Sequence, residues 1–191
     1  MGEAEDHVRI VLPRRCLVVL SGIPASGKST FAHRHFRPTE VVSSDWCRAT
    51  ICDDAINQAA SRDAFDLMHD IIAKRMKFNR LCVADATHLT HASRKRLIDL
   101  SGRYGYPACL IVFDVAADEC KRRDARRPDF RVGEDVIDDH ASRLAVDVDR
   151  LGAEGFFGVW VLGTDQVDQV EVVFETHAAE KERPDRRAIE P

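Results

Sequence analysis

The eight residues GIPASGKS at positions 22–29 constrain this chain more than any other stretch. They match the pattern G-x-x-x-x-G-K-[ST], and they sit between an apolar run (17–20) and a helix-forming run that starts at Thr30. In that setting Gly22 and Gly27 permit the backbone angles that turn successive N–H groups inward, and the helix start adds partial positive charge. A cradle of this kind takes phosphates. Gly22, Ala25, Ser26, Gly27, Lys28, Ser29 and Thr30 form the expected nucleotide-binding set, for ATP or another nucleoside triphosphate. Lys28 is expected to reach the β- and γ-phosphates and Ser29 to hold Mg²⁺.

Such a loop belongs to a parallel sheet, and the rest of the chain agrees. Apolar runs at 16–20, 41–42, 81–84, 108–112 and 159–162 alternate with helix-period segments. Ala64, Met68, Ile71 and Ile72 share one helical face, Thr90 can cap a helix running to about Tyr104, and Gly133 opens a segment reaching about Leu151. The reading is α/β, a P-loop NTPase/kinase fold with a parallel sheet of about five strands and helices on both faces. Residues 1–163 form the P-loop domain, and residues 164–191 an appended segment. In it VEVVFET adds an edge strand, and HAAEKERPDRRAIEP is a charged tail or linker. No apolar run reaches 18 residues, which excludes a membrane partner on this pattern, and the acidic start is no secretory signal. Six cysteines without C-x-x-C spacing read as reduced and cytoplasmic. A net charge of −4 gives no global attraction for nucleic acid, so any such binding must be local.

Where a chemistry is chosen is the end of the second strand, VVSSDWCR at 41–48. In a parallel sheet functional groups gather at the carboxyl ends of strands, so Asp45 and the phosphate loop share an edge. A carboxylate there can take the proton of an attacking hydroxyl, and Arg48, one helical turn on, suits an acceptor that itself carries an anion. The plainer alternative makes Asp45 the N-cap of a helix starting at Trp46, with Arg48 its surface partner. Arg123 and Arg127 in ECKRRDARRP continue the face of Cys120, and Pro128 ends that helix, which suits an arginine-bearing helical lid over the transferring phosphate. Surface pairs Glu119–Arg123 and Asp118–Arg122 explain the same residues more blandly. Asp85 closes the third strand and can hold a Mg²⁺-bound water or orient an acceptor, with Thr87 and His88 following it into the cleft as acceptor contacts. His88 and His91, at i and i+3 with no third ligand, read as solvated loop histidines rather than a metal pair.

GIPASGKSTFA, SSDWCR, DD…NQ, DATH and C…RRDARRPD, in this order and over residues 18–162, closely resemble the kinase module of bacterial polynucleotide kinase-phosphatases. The resemblance implies transfer of a γ-phosphate to the 5′-hydroxyl of RNA or DNA. Asp45 is then the general base, Arg48 the contact to the acceptor phosphate, Arg123 the lid arginine on the transferring phosphate, and Arg127 a second lid arginine on the nucleotide. The family's usual DATN is DATH here, which leaves the role of His88 open. In those relatives phosphatase and end-sealing modules follow, so partners in cis or in trans are expected, and this chain alone should lack 3′-end healing. Two other classes fit the same loop: a kinase of a small phosphorylated metabolite or nucleotide-sugar, and a non-catalytic ATP-binding regulatory module.

Overall fold

The computed structural model describes residues 8–128, 130–148 and 150–175. Along the chain come β1 (Arg9–Leu12), β2 (Leu17–Gly22), α1 (Lys28–His35), β3 (Val41–Ser43), α2 (Ser44–Cys52), α3 (Ser61–Lys77), β4 (Cys82–Asp85) and α4 (His91–Arg103). They are followed by β5 (Ala108–Asp114), α5 (Ala117–Ala125), α6 (Glu134–Val148), β6 (Gly158–Gly163) and β7 (Glu171–Phe174). Five strands form one parallel sheet in the order β3-β4-β2-β5-β6. Every residue of β2 is buried, as the central strand of a sheet covered on both faces must be, which is why it reads as an unbroken apolar run.

The helices follow their expected signals. On α3, Ala64, Met68, Ile72 and Met76 are buried at four-residue spacing, and Thr90 caps α4 by accepting from the Ser93 backbone N–H. The strand expected within VEVVFET forms as β7. It pairs in parallel with β1 as a separate two-stranded ribbon, not at the edge of the five-stranded sheet. β1 escaped notice because its alternation is only four residues long, with Ile10 and Leu12 buried and Arg9 and Val11 outward. The charged tail 177–191 lies outside the described residues. Five of the six cysteines are buried and none is bridged, in keeping with their use as small apolar side chains. Among the described residues no helix is long and apolar enough to cross a membrane.

One long-range clasp holds the loop after β4. Arg94 on α4 is fully buried. Its Nε and Nη2 donate to the two carboxylate oxygens of Glu154 at 2.8 and 2.6 Å, and its Nη1 donates to the carbonyls of His88 and Leu89 at 2.9 and 2.8 Å. Burial alone would push the Glu154 carboxyl up, but the hydrogen bond and charge of Arg94, with His91 beside it, hold it below its usual range. Replacing one member strands the other's charge inside the protein. Arg94→Ala should therefore lower unfolding stability by about 3–5 kcal/mol, read from urea denaturation. A loss under about 1 kcal/mol would mean the pair is not buried in solution.

Candidate active site

Sheet register builds the centre of the site. Leu20 on β2 lies opposite Asp85 on β4, and Asp85 lies opposite Ser43 on β3, so the phosphate loop, an acid and the start of α2 align across the carboxyl edge. Gly22 is required by close approach: a Cβ there would stand 2.9 Å from both Phe113 Cβ and Ser26 Oγ. Ala25 (φ 61°) and Gly27 (φ 98°) take left-handed conformations as the loop turns into α1. Lys28 is buried, and its Nζ donates to the Ile23 carbonyl at 2.7 Å and to Ser26 Oγ at 3.2 Å. Burial lowers its pKa to about 8, against the raising effect of Asp85. Burial likewise raises the Asp85 carboxyl, while the Lys28 charge and a hydrogen bond from Ser29 pull it back.

These residues fit Mg²⁺. Ser29 and Asp85 offer hard oxygens in the lining of the same cleft. Among the described residues no group of three or more His, Cys, Asp or Glu could hold a metal unaided. A P-loop Mg²⁺ draws most of its ligands from phosphates and water, so this sparse set suffices.

On α2 the structure decides between cap and cleft. Helix α2 starts at Ser44, and Ser43 is its N-cap, with Oγ accepting from the N–H groups of Asp45 and Trp46. Asp45 is thus relieved of capping. Its carboxylate is 68% exposed, lines the same cleft as Lys28, and accepts from Arg48 Nη2. Arg48 is no surface partner: it is buried, and its Nε donates to the Ala55 carbonyl at 2.7 Å. Thr87 lines this end of the cleft, along with Ile56, Gln58, Ser61 and Phe65.

His88 turns away from the cleft. It is buried at φ 40°, with Nδ1 2.9 Å from the Leu20 carbonyl and its ring packed on Phe65. A carbonyl only accepts, so Nδ1 carries the proton. Burial pushes the pKa to about 4, which keeps the ring neutral, and Nε2 has no partner among the described residues. His88 is therefore not the solvated histidine its loop position suggests, nor a residue lining the cleft. His91 remains half exposed, 3.2 Å from Glu154.

At the other end Arg123 and Arg127 line the cleft, Cys120 is fully buried beneath them, and Arg122 points to solvent. Arg123 Nε donates to Glu119 at 2.7 Å, yet its Nη1 stands 3.5 Å from where a Cβ on Gly27 would sit, so it overhangs the phosphate loop while keeping its helix partner. Arg122 pairs with Glu119, not with Asp118. Arg127 lies 3.5 Å from Asp124. Asp124, which sequence reasoning passed over, is buried and accepts from the N–H groups of Val132 and Gly133 at 3.2 Å each, pinning the turn between α5 and α6. Across from the arginines, Val167, Asp168 and Arg34 complete this end. The whole cleft measures about 1110 Å³, room for a nucleotide and an acceptor together.

Comparison with known proteins agrees with this architecture. A family model described as an AAA domain matches residues 17–146. No match was found among curated protein sequences. Among solved structures, the chain is similar to a chain of the Pnkp1/Rnl/Hen1 RNA repair complex, with a TM-score of 0.62 and 20% identity, covering 78% of this chain and 49% of that one. It spans about half the length of that relative. Kti12 from Chaetomium thermophilum, solved with ADP-AlF3, gives a TM-score of 0.56 at 16% identity over 80% of this chain and 94% of that one. A gluconokinase from Sinorhizobium meliloti 1021 gives 0.52 at 12% identity over 81% and 85%. At such identities these likenesses establish a shared fold, the P-loop kinase fold.

Lys28 carries a pH dependence of determinable sign. Only the ammonium attracts phosphate, and it is present below its pKa of about 8. Above that pH, binding must take up a proton. Nucleoside triphosphate affinity should be flat from about pH 6.5 to 7.5 and then fall by up to about tenfold per pH unit above pH 8. Calorimetry in buffers of different ionisation enthalpy should register proton uptake at pH 9 and none at pH 6.5. Equal affinity and no uptake at pH 9 would show that Lys28 stays charged throughout.

Proposed function

The chain belongs to the AAA domain family, and from that premise we propose that it is a polynucleotide 5′-hydroxyl kinase, moving the γ-phosphate of ATP or another nucleoside triphosphate to the 5′-OH end of RNA or DNA. The supporting observation is the Asp45–Arg48 pair. An exposed carboxylate shares a cleft with the phosphate-loop lysine, steadied by a buried arginine whose Nε and Nη2 are engaged and whose Nη1 is the nitrogen left for an acceptor phosphate. A hydrolase has no use for a second anion clamp beside its base, whereas an acceptor with a phosphate next to its hydroxyl does. The likeness to a chain of an RNA repair complex favours an end-healing setting, with phosphatase and ligase modules working beside the kinase in cis or in trans.

In the proposed reaction the 5′-oxygen forms a bond to the γ-phosphorus as the bond to the β,γ-bridging oxygen breaks. The hydroxyl proton passes to Asp45, and the nucleoside diphosphate leaves with the bridging oxygen's negative charge. Lys28 and Arg123 hold the charge that develops on the phosphoryl oxygens and the leaving group, and Arg127 steadies the nucleotide. Ser29 and Asp85 would hold Mg²⁺, which would supply further neutralisation of the phosphate charge. Arg48 grips the acceptor, with Thr87 as a further acceptor contact. His88, neutral and turned inward, supports the loop that carries Thr87 instead of meeting the substrate.

Transfer of labelled γ-phosphate from ATP with Mg²⁺ to a 5′-OH oligonucleotide tests this. Asp45→Asn should slow transfer by about two to four orders of magnitude. Arg48→Ala should raise KM for acceptors with a phosphate next to the reacting sugar more than for those without one. An Asp45→Asn enzyme of near-normal rate, or equal use of free nucleosides or sugars, would overturn the proposal in favour of a binding module or a metabolite kinase.

A further inference from the structure

Many of the arginines are matched: Arg34, Arg94, Arg122, Arg123, Arg127 and Arg143 each meet a carboxylate. Among the described residues Arg62 and Arg75 on α3 meet no carboxylate, Arg75 donating to the Leu81 carbonyl, and on α4 two more stand in the same position. Lys95 donates to both oxygens of Asp99 at 2.8 and 2.9 Å, cancelling the acid of that face. Arg96 and Arg103, seven residues apart, meet no acid within ion-pair distance among the described residues. They lie about 10 Å from one another along the helix axis. Both border a recess of about 230 Å³ between α3 and α4, floored by Leu100 and closed on the α3 side by His69; Asp99 also lines it, its carboxylate taken up by Lys95.

This recess lies one helical turn along α3 from the acceptor end of the cleft. Phe65 lines the cleft, and one helical turn further along α3 its ring meets that of His69 at 6.4 Å between centroids. From Ser61, at the cleft, to His69 is about 12 Å along the helix. We propose, on the reading of the preceding subsection, that the groove between α3 and α4 is a second phosphate site, gripping the backbone of the acceptor strand on the 3′ side of the nucleotide held at Arg48. Arg96 and Arg103 supply the charge. His69, which burial and the neighbouring Arg96 keep below its ordinary pKa, presents a neutral ring at the groove wall and adds no charge at pH 7. Asp66 and Asp70 face His69 from its own helix but lie outside the lining of the recess. A chain with net charge −4 has no general hold on a polyanion, so two uncancelled guanidinium groups a helical turn beyond the acceptor end make a local one. The substrate class thereby narrows from any 5′-OH compound with one phosphate to a strand several nucleotides long.

The test compares a 3′-labelled 5′-OH 12-mer with a nucleoside 3′-monophosphate, using the full chain. The unmodified protein should use the 12-mer more efficiently, by a factor on the order of ten in kcat/KM, chiefly through KM. R96A/R103A should abolish that advantage while leaving transfer to the mononucleotide unchanged, because neither residue touches the cleft. Fluorescence anisotropy of the 12-mer against salt gives a readout independent of catalysis. The log–log slope should shrink by about 1.4 in the double variant, from roughly 0.7 per phosphate contact on a single strand, and return in R96K/R103K. A double variant that keeps the length preference and the salt slope overturns the second site. So does an unmodified protein with neither. Absence of transfer to every acceptor would overturn the kinase reading instead, and the anisotropy slope would still decide the groove.

Discussion

A buried cation at the carboxyl edge of the sheet governs the arrangement. An ammonium removed from water costs several kcal/mol unless oxygens surround it. Lys28 obtains them from the Ile23 carbonyl, from Ser26 and from the field of Asp85. Each supplier carries a constraint of its own. Ile23 must be followed by the loop that returns at Gly27, and Gly22 must lie against Phe113 with no side chain between. Asp85 must end β4 in the register that sets it beside Leu20. Slipping β4 by one residue would send that carboxylate to the opposite face of the sheet and leave the lysine uncompensated.

The same row of residues sets the acceptor end. Ser43 pairs with Asp85, and its hydroxyl starts α2, so the first turn of that helix rises over the edge where the acid and the lysine already lie. Asp45 and Arg48, three residues apart, then meet above it. The Ala55 carbonyl holds the guanidinium from below, which fixes the direction of a side chain that would otherwise sample many rotamers. Under the proposed function this is preorganisation: base and clamp are in place before an acceptor arrives.

Much of this was legible because it is local. The phosphate loop, the five strands, the cap at Thr90 and the helix start after Gly133 depend on neighbours within a few residues, and their chemistry shows in single-residue choices. Asp45 was ambiguous because serine and aspartate both cap helices. SSD offers three candidates for one role, and only backbone geometry assigns it to Ser43. His88, Arg94 and Asp124 were missed or misjudged for another reason. Their partners are Leu20, Glu154 and the backbone of residues 132–133, and nothing in the sequence near each announces the burial that makes it matter. β1 and β7 stabilise one another from opposite ends of the chain, a pairing that no local pattern contains.

The two ends of the cleft differ in how firmly they are built, and that difference bears on how a kinase avoids transferring phosphate to water. Arg48 is buried and bound from two sides. Arg123 and Arg127 are partly exposed and paired with acids of α5, so they can change partners with little loss when phosphate oxygens come within reach. Asp124 ties the end of α5 to the turn that opens α6, and Val132, Val136 and His140 of that stretch line the same cleft. Under the proposed function the triphosphate itself would recruit Arg123 and Arg127, while Arg48 is already held in place for an acceptor. In the proposed reaction, a water molecule in place of the acceptor would meet Asp45 but give Arg48 nothing to hold, and it would lack the positional restraint that makes a bound hydroxyl an efficient nucleophile.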